Sequence, residues 1–470
     1  MISTSDLAGR LYYEYEKYFE VKLTHRRFLY SDILLLINGL KNKNNFAIKK
    51  AGKSELGKDI FLVSYGKGKT KIFLWSQMHG NEATATMALF DIFNFLSNKN
   101  DFVELKNFLL KETTIYFLPV VNPDGADLFQ RRNYFDIDLN RDAARLASKE
   151  AKLLMKIFKE LQPDFGFNLH DQDTRYSAGN SFKPATISFL APPVDNSKKM
   201  TLCRLNSVKL ISELFSILSK YIPGHIAKYS DDYEPRAFGD NFQKMGTSTI
   251  LIESGGWKND PEKLFIRKLN FILILSALQS ITLKNYKNQQ PEVYDRIPLN
   301  QELLRDLIIR NVAVNRNDKK CKIDIAVNFE EINIPGKQLF YYKSKIEDLG
   351  DLTTFYGYEN HNFSGLNVET GKTFPEIFNT IKDLEKTNFE ELYKKGFTNV
   401  IIKEPPPQNW TNLPINIFQR MPGKKDQIEL DAPANLIFIK DNIIKYVVVN
   451  GYLFNLQSKT GQIKNGLIFH

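Results

Sequence analysis

Short apolar strands alternate with helical segments between residues 46 and 285, and this alternation restricts the fold more than any other feature of the chain. Apolar runs typical of buried strands lie at 71–77, 113–121, 165–170 and 248–254. Segments typical of helices lie between or after them, at 83–96, 149–161, 201–221 and 261–283. This order predicts an α/β fold in which a mainly parallel mixed sheet has helices on both faces.

The chain of 470 residues divides into four regions by composition. Residues 1–45 have apolar and aromatic side chains at helical spacing, and we expect an N-terminal helical extension there. Residues 46–285 carry the alternating pattern, and the polar, proline-containing stretch 286–300 is predicted to be a linker. Residues 301–470 contain alternating apolar and polar segments, which predict a β-rich C-terminal domain of unknown role.

Charge and apolar content restrict the partners that we expect. Lysine and arginine number 64 and aspartate and glutamate 54, but the net charge of +10 is scattered rather than clustered, which argues against nucleic-acid binding. The first residues lack the apolar run of a signal peptide, and the longest apolar stretch, 271–281, is shorter than the ~20 residues that span a bilayer. With only two cysteines in addition, we expect a cytoplasmic protein with no membrane insertion.

Chemically active side chains lie where the buried strands end. His79 follows one buried strand, with Glu82 three residues later, and His170 ends another. Glu253 ends a third such strand. Because ligands of open α/β sheets bind at the carboxyl ends of the strands, we expect these side chains to meet at one edge of the sheet.

Two imidazoles and one carboxylate are a ligand set of catalytic zinc, in which the fourth position remains open for water. The spacing of His79 and Glu82 suits this role, since residues i and i+3 of a turn point to the same side. A carboxylate that does not bind the metal is then needed to take a proton from water and pass it to a leaving amine. Glu253 is the candidate for that role.

The loop between the two histidines, residues 122–142, carries the sequences NPDG and DLNR and three arginines. Guanidinium groups bind carboxylates through paired hydrogen bonds and can stabilise an oxyanion. Taken alone, DLNR fits an ordinary surface cluster of ion pairs equally well.

The motifs HGNE, NPDG, R-x-N, DLNR and N-L-H, followed by an apolar strand that ends in Glu, resemble the carboxypeptidase A-like zinc metallopeptidases in kind and order. The resemblance covers residues 46–285 and implies a zinc carboxypeptidase-like catalytic domain that binds one zinc ion per chain. It implies His79, Glu82 and His170 as the zinc ligands. Asp138 matches the acid that orients a ligand imidazole.

The resemblance also implies which residues act on the substrate. Asn140 and Arg141 match the pair that binds the terminal carboxylate, and Glu253 matches the general base. Arg131 matches the oxyanion arginine, with Arg132 as the alternative because it is the next residue.

The loop at 229–247 precedes the strand of Glu253, and the family carries a mobile tyrosine there. Tyr233 is the first choice for this residue and Tyr229 the alternative. Arg236 lies in the same loop and, if it faced the substrate pocket, would favour an acidic group of the substrate.

These residues together predict a zinc metallocarboxypeptidase. We expect it to hydrolyse the C-terminal amide bond of a peptide or peptide-like substrate with a free carboxylate, by Glu-assisted attack of a zinc-bound water. Two alternatives are a zinc-dependent deacylase of N-acyl amino acids and a catalytically silent module that binds C-termini or glycans. The preferred C-terminal residue and the oligomeric state stay open.

Overall fold

The computed structural model describes residues 3–41, 43, 45–423 and 427–470. The chain forms two compact units, Met1–Glu302 and Leu303–His470. Each unit has its own sheets and its own hydrophobic core.

The first unit alternates strands with helices. Its strands are β1 (Phe46–Lys53), β2 (Asp59–Tyr65), β3 (Thr70–Ser76), β4 (Thr113–Leu118), β5 (Phe165–Asp171), β6 (Ser177–Ala178), β7 (Ile187–Leu190), β8 (Ile226–Lys228), β9 (Ser248–Ser254) and β10 (Asn300–Gln301). Its α-helices are α1 (Thr4–Glu14), α2 (Tyr30–Leu40), α3 (Thr84–Ser97), α4 (Val103–Glu112), α5 (Pro123–Leu128), α6 (Lys149–Leu161), α7 (Leu202–Leu218), α8 (Phe238–Lys244), α9 (Leu264–Leu283) and α10 (Glu292–Asp295).

An eight-stranded sheet in the order β1-β2-β4-β3-β5-β9-β7-β8 forms the centre of this unit. Its middle strands β4, β3, β5 and β9 run parallel, as do β7 and β8. The pairs β1–β2, β2–β4 and β7–β9 are antiparallel. The predicted fold class, a mainly parallel mixed sheet, is therefore confirmed.

Helices cover both faces of this sheet, as the side chains of β3 illustrate. Ile72 and Leu74 lie in one core with α3, α7 and α9, whereas Phe73 and Trp75 lie in a second core with α6 and α8. Successive side chains of a strand point to opposite faces, so a strand covered on both faces must be apolar along its length. This is why residues 72–75 of this strand are all apolar.

The segments at either end of the first unit pack onto its core. Helices α1 and α2 contribute buried side chains such as Leu11 and Ile33 to the core that contains α9. Residues 286–300, for which the sequence predicts a linker, also pack here through the buried side chains of Tyr286, Tyr294 and Ile297. Although the segment is polar overall, these few buried side chains attach it to the core.

Among the described residues, α9 is the helix that is long and apolar enough to cross a membrane. Its most apolar window is 83% buried inside the structure. Helix α9 contacts α1, α3 and α7, so here it forms a central element of the core.

The second unit is rich in β-structure, as predicted for the C-terminal region. Its strands are β11 (Leu304–Arg316), β12 (Lys319–Asn333), β13 (Phe340–Gly350), β14 (Tyr356–Asn362), β15 (Asn367–Thr370), β16 (Lys372–Phe378), β17 (Phe397–Ile402), β18 (Trp410–Thr411), β19 (Asn416–Phe418), β20 (Leu436–Lys440), β21 (Ile443–Val449), β22 (Tyr452–Asn455) and β23 (Gly466–Phe469). They form an eight-stranded and a five-stranded sheet. The described residues of this unit also form the short helices α11 (Ile381–Leu384) and α12 (Phe389–Lys394).

Candidate active site

Three neighbouring parallel strands bring the predicted site residues together at their carboxyl ends. His79 and Glu82 lie in the turn between β3 and α3, and His170 lies near the end of β5. Glu253, near the end of β9, is the direct cross-strand partner of His170. Residues paired in this way project from the same face of a sheet, so the register alone places Glu253 beside the histidine.

The side chains of His79, Glu82 and His170, which we call the metal cluster, are all buried, and one ligand atom of each lies within 4.8 Å of the others. Glu82 lies between the two imidazoles. Its Oε1 is 2.6 Å from Nδ1 of His79, and its Oε2 is 2.7 Å from Nδ1 of His170. The structure therefore brings together the three side chains that the sequence predicts as zinc ligands.

The turn that carries the metal cluster packs tightly against the NPDG turn. A Cβ atom on Gly80 would lie 2.1 Å from the carbonyl carbon of Gly125, so no larger residue fits at that position. Asn122 caps α5 by accepting a hydrogen bond from the Gly125 amide at 2.9 Å, and it donates to the carbonyl of Met78 at 3.3 Å. The two motifs are thus one packed unit that fixes the position of His79.

Opposing forces act on the charges of the metal cluster. Burial disfavours the charged form of Glu82, but the two histidines outweigh it and hold the pKa of Glu82 well below its usual value. Burial also disfavours protonation of His79, yet Glu82 and Asp138 raise its pKa overall. Burial prevails at His170, whose pKa is lowered. A cation among these groups would be held by an ionised carboxylate.

Asp138 and Arg131 lie against the metal cluster. Asp138 Oδ1 is 3.0 Å from Nε2 of His79, so it engages the ring nitrogen opposite the one that faces Glu82. Arg131 donates through Nη1 to Glu82 at 3.0 Å and through Nε to Asp138 at 3.1 Å. Arg132 turns away and donates to the backbone carbonyl of Asp136 at 2.9 Å. Of the two adjacent arginines, the structure brings Arg131 into the site.

Glu253 lies in a site that disfavours negative charge. Burial raises its pKa well above the usual value, and the carboxylates of Glu82 and Asp171 raise it further. Arg131 and Lys263 act in the opposite direction. The group predicted to be the base is thus surrounded by two acids and two cations.

Lys263 and Asp171 are residues of this site that the sequence analysis missed. The buried ammonium of Lys263 donates to the carbonyl of Ser254 at 2.8 Å and to Asp171 Oδ2 at 3.2 Å, and so links the ends of β9 and β5. Asp171 had a signal, because an acid directly follows the predicted ligand His170. Lys263 had none, since it lies in an irregular, polar stretch before α9.

The predicted carboxylate-binding residues lie on a different, more exposed loop. Arg141 donates through Nη1 to the carbonyl of Asn140 at 2.9 Å, and its Nε is 3.4 Å from Glu234 Oε2. Arg236 pairs with both carboxylate oxygens of the same Glu234. We call Arg141, Glu234 and Arg236 the arginine rim. The sequence analysis did not single out Glu234.

The two candidate tyrosines differ in their surroundings. Tyr229 lies within electrostatic range of Glu253, since burial first and Glu253 second raise the pKa of its hydroxyl. Its ring is 6.0 Å from that of Tyr176. The ring of Tyr233, the first choice, instead lies 6.0 Å from the ammonium of Lys244. Tyr229, the alternative, is thus close enough to the predicted base for the two groups to interact electrostatically.

The donor set of the metal cluster fits zinc. Two imidazoles and one carboxylate are the ligands of several catalytic zinc sites. Asp138 on the remote nitrogen of His79 is the kind of partner that fixes the tautomer of a ligand imidazole and leaves Nδ1 to the metal. In His170, Nδ1 faces Glu82 Oε2 at 2.7 Å, so Nδ1 is the atom of that ring that can share a cation with Glu82.

Sequence comparison agrees with this donor set. Residues 36–181 match the zinc carboxypeptidase family model, a family of zinc-dependent enzymes, and this span includes His79, Glu82, Asp138 and His170. The chain is 28% identical over 116 residues to "Probable carboxypeptidase 2" of Arthroderma benhamiae and to "Carboxypeptidase 2" of Trichophyton rubrum. These matches cover 25% of this chain and about a fifth of the length of each relative.

Solved structures with partial likeness include a metallo-carboxypeptidase from Burkholderia cenocepacia, with a TM-score of 0.44 and 15% identity over 55% of this chain and 69% of that one. Carboxypeptidase A from Helicoverpa armigera gives a TM-score of 0.43 and 14% identity over 54% of this chain and 73% of that one. The resemblance drawn from the motifs is confirmed by the sequence match of residues 36–181 to the zinc carboxypeptidase family model.

Proposed function

We propose that this protein is a metallocarboxypeptidase, which hydrolyses the C-terminal amide bond of a peptide or peptide-like substrate. The observation that carries the proposal is the convergence of His79, Glu82 and His170, with Glu253 on the neighbouring strand. The three ligands alone would suit a structural or a catalytic metal. The additional carboxylate beside them favours hydrolysis.

The metal cluster would hold one zinc ion per chain. When bound, zinc supplies a Lewis acid that polarises a carbonyl group and lowers the pKa of water. The chain's own contribution begins with orientation, because Asp138 holds the imidazole of His79 from its far side.

Glu253 would move the protons of the reaction. It accepts a proton from the attacking water and delivers it to the amide nitrogen as the C–N bond breaks, so that the departing amine leaves neutral. Arg131 would donate to the carbonyl oxygen as negative charge develops there. Its Nε and Nη1 donate to Asp138 and Glu82, and the guanidinium has further N–H groups that can donate to substrate.

The carboxylate of the substrate would be bound by Arg141 and Asn140. The side chain of Arg141 is partly exposed, as a group that must meet a ligand requires. Asn140 uses its side-chain oxygen to accept a hydrogen bond from the Phe238 amide at 3.1 Å, so its NH₂ group is the end that can donate to substrate. Requiring a free carboxylate at this position restricts cleavage to the last residue of a chain.

The decisive experiment is peptide profiling by mass spectrometry, with and without a zinc chelator. The panel would contain dipeptides, longer peptides with free or amidated C-termini, γ-linked peptides and N-acyl amino acids. We expect loss of one C-terminal residue from free peptides, much slower cleavage of their amides, and inhibition by the chelator that added zinc reverses.

Other outcomes of the same experiment would replace the proposal. Hydrolysis confined to N-acyl amino acids would make the protein a deacylase. Binding of peptides without turnover, in protein that contains no zinc after purification in zinc-supplemented buffer, would make it a silent binding module.

A further inference from the structure

The arginine rim contains a carboxylate that contacts the predicted carboxylate-binding arginine. A guanidinium group donates through Nε, Nη1 and Nη2. In Arg141 one Nη1 hydrogen goes to the carbonyl of Asn140, and Nε faces Glu234 Oε2 at 3.4 Å. These contacts engage Nε and one hydrogen of Nη1. The second Nη1 hydrogen and those of Nη2 are the donors that can bind a second carboxylate through two hydrogen bonds.

Glu234 itself is fixed in place. Its Oε1 accepts from the amide and Nε of Arg236 at 3.1 and 3.0 Å, and its Oε2 accepts from Nη2 of Arg236 at 2.9 Å. Its own amide donates to Asp240 Oδ1 at 3.1 Å, and its carbonyl accepts from Ala237 at 2.9 Å. Because Glu234 is already fixed by these contacts, it loses little further conformational entropy when it orients a neighbouring side chain.

The loop that carries Glu234 is joined to the segment that carries Arg141. The amide of Ala143 donates to the carbonyl of Arg236 at 3.0 Å, and the amide of Phe238 donates to Asn140 Oδ1 at 3.1 Å. Glu234 and Arg141 therefore extend from two segments that hydrogen bonds hold together.

The charges of the rim also favour a positioning role. A bare carboxylate beside Arg141 would repel the carboxylate of a substrate. Arg236 offsets that charge, so that the three side chains together keep one net positive charge for the substrate. The hydrogen bonds from Arg236 hold the pKa of Glu234 at about 2, which keeps it ionised at neutral pH.

We propose that Glu234 is a positioning residue that holds Arg141 with its free fork toward the C-terminal carboxylate of the substrate, and that Arg236 neutralises Glu234 instead of binding substrate. This inference rests on the proposed carboxypeptidase function. It assigns Arg236 a role different from the acidic-substrate contact considered from the sequence.

The first test is Glu234→Gln, assayed on matched peptides with free and amidated C-termini. We expect KM for the free peptide to rise about 5- to 20-fold, since an arginine loses its fixed orientation. The value of kcat should change less than about twofold, because Glu234 does not contact the metal cluster. Glu14→Gln on α1, which also removes one partner of a surface pair with an arginine, is the matched control and should leave KM unchanged.

The second test separates positioning from charge. The double variant Glu234→Gln/Arg236→Gln keeps the net charge of the wild type, and we expect the same KM increase as in Glu234→Gln alone. A further loss in the double variant would show that Arg236 binds substrate itself. A KM that falls in Glu234→Gln would show that Glu234 competes with substrate. Either result overturns the proposal.

A binding measurement gives a readout that is independent of turnover. The free peptide and its amide would be titrated by calorimetry into Glu253→Gln protein, with and without Glu234→Gln. We expect weaker binding of the free peptide alone. If protein with intact Glu234 fails to distinguish the peptide from its amide, the proposed function fails. If it distinguishes them and Glu234→Gln does not change this, only the present inference fails.

Discussion

The metal cluster and the arginine rim both consist of charged or ionisable side chains, but they differ in how far these side chains are exposed to water. The side chains of the cluster are at most 7% exposed, whereas those of the rim are 28–57% exposed. In the cluster, low polarity strengthens each charge interaction, and the pKa values of all three residues shift. In the rim, water weakens each ion pair, and specific orientation must come from several contacts together.

Because of this difference, we expect substitutions in the two sites to change different measured quantities. Changes in or beside the cluster should alter metal content and kcat, because they act where bonds are made and broken. Changes in the rim should alter KM and the preference for a free C-terminus.

The largest effect is expected for Glu253→Gln. Glutamine has nearly the same shape but cannot take a proton from water, so kcat should fall about 10²–10⁴-fold while the protein retains its zinc. Turnover of a cleaved peptide and metal content by mass spectrometry are the measurements. Glu213→Gln is the control, since Glu213 is also buried, on α7, where it accepts a hydrogen bond from Ser280. Full activity in Glu253→Gln protein would remove Glu253 from the role of base.

Asp138→Asn should weaken zinc binding about 10- to 100-fold. The neutral amide can still accept a hydrogen bond from His79, but it no longer strengthens the imidazole as a ligand. Zinc affinity can be measured by competition with a fluorescent chelator. Asp136→Asn, on the same loop but exposed and away from His79, should keep wild-type affinity. If both variants bound zinc equally well, Asp138 would have no part in the metal site.

Arg141→Ala tests the rim. We expect kcat/KM for free peptides to fall about tenfold or more, in keeping with the loss of a charge-assisted hydrogen bond, whereas the slow cleavage of amidated peptides stays unchanged. The ratio of the two substrates is the measurement. A similar loss for both substrates would mean that Arg141 supports the structure rather than the recognition of the carboxylate.

The fold and the metal cluster could be predicted because short sequence patterns determine the buried strands, and the strand order then determines which residues meet. Strands buried on both faces must be apolar throughout, and parallel strands end at one edge, so His79, His170 and Glu253 converge once the topology is known. The spacing of His79 and Glu82 within one turn required no long-range information.

The rim could not be predicted in the same way. Glu234 contacts Arg141 and Arg236 where two irregular loops meet. Contacts between irregular loops leave no periodic pattern in the sequence, so they could not be predicted from it. For the same reason the sequence does not decide between Tyr229 and Tyr233, which lie in one irregular loop. Lys263 likewise reaches the ends of β5 and β9 from a loop distant in sequence.

The smallest expected effect concerns the stability of the protein and depends on Asp240, which accepts a hydrogen bond from the amide of Glu234. Burial of Asp240 on α8 raises its pKa from 3.8 to about 6. The folded state therefore binds this proton more tightly than the unfolded state, and the stabilisation that the proton provides is lost as the pH rises from about 4 to above 6. Asp240→Asn can still accept the hydrogen bond from the Glu234 amide but carries no charge to bury. Its melting temperature should exceed that of the wild type by a few degrees at pH 7.5 and by less at pH 4.5, as measured by calorimetry. An equal difference at both pH values would show that Asp240 does not titrate in this range.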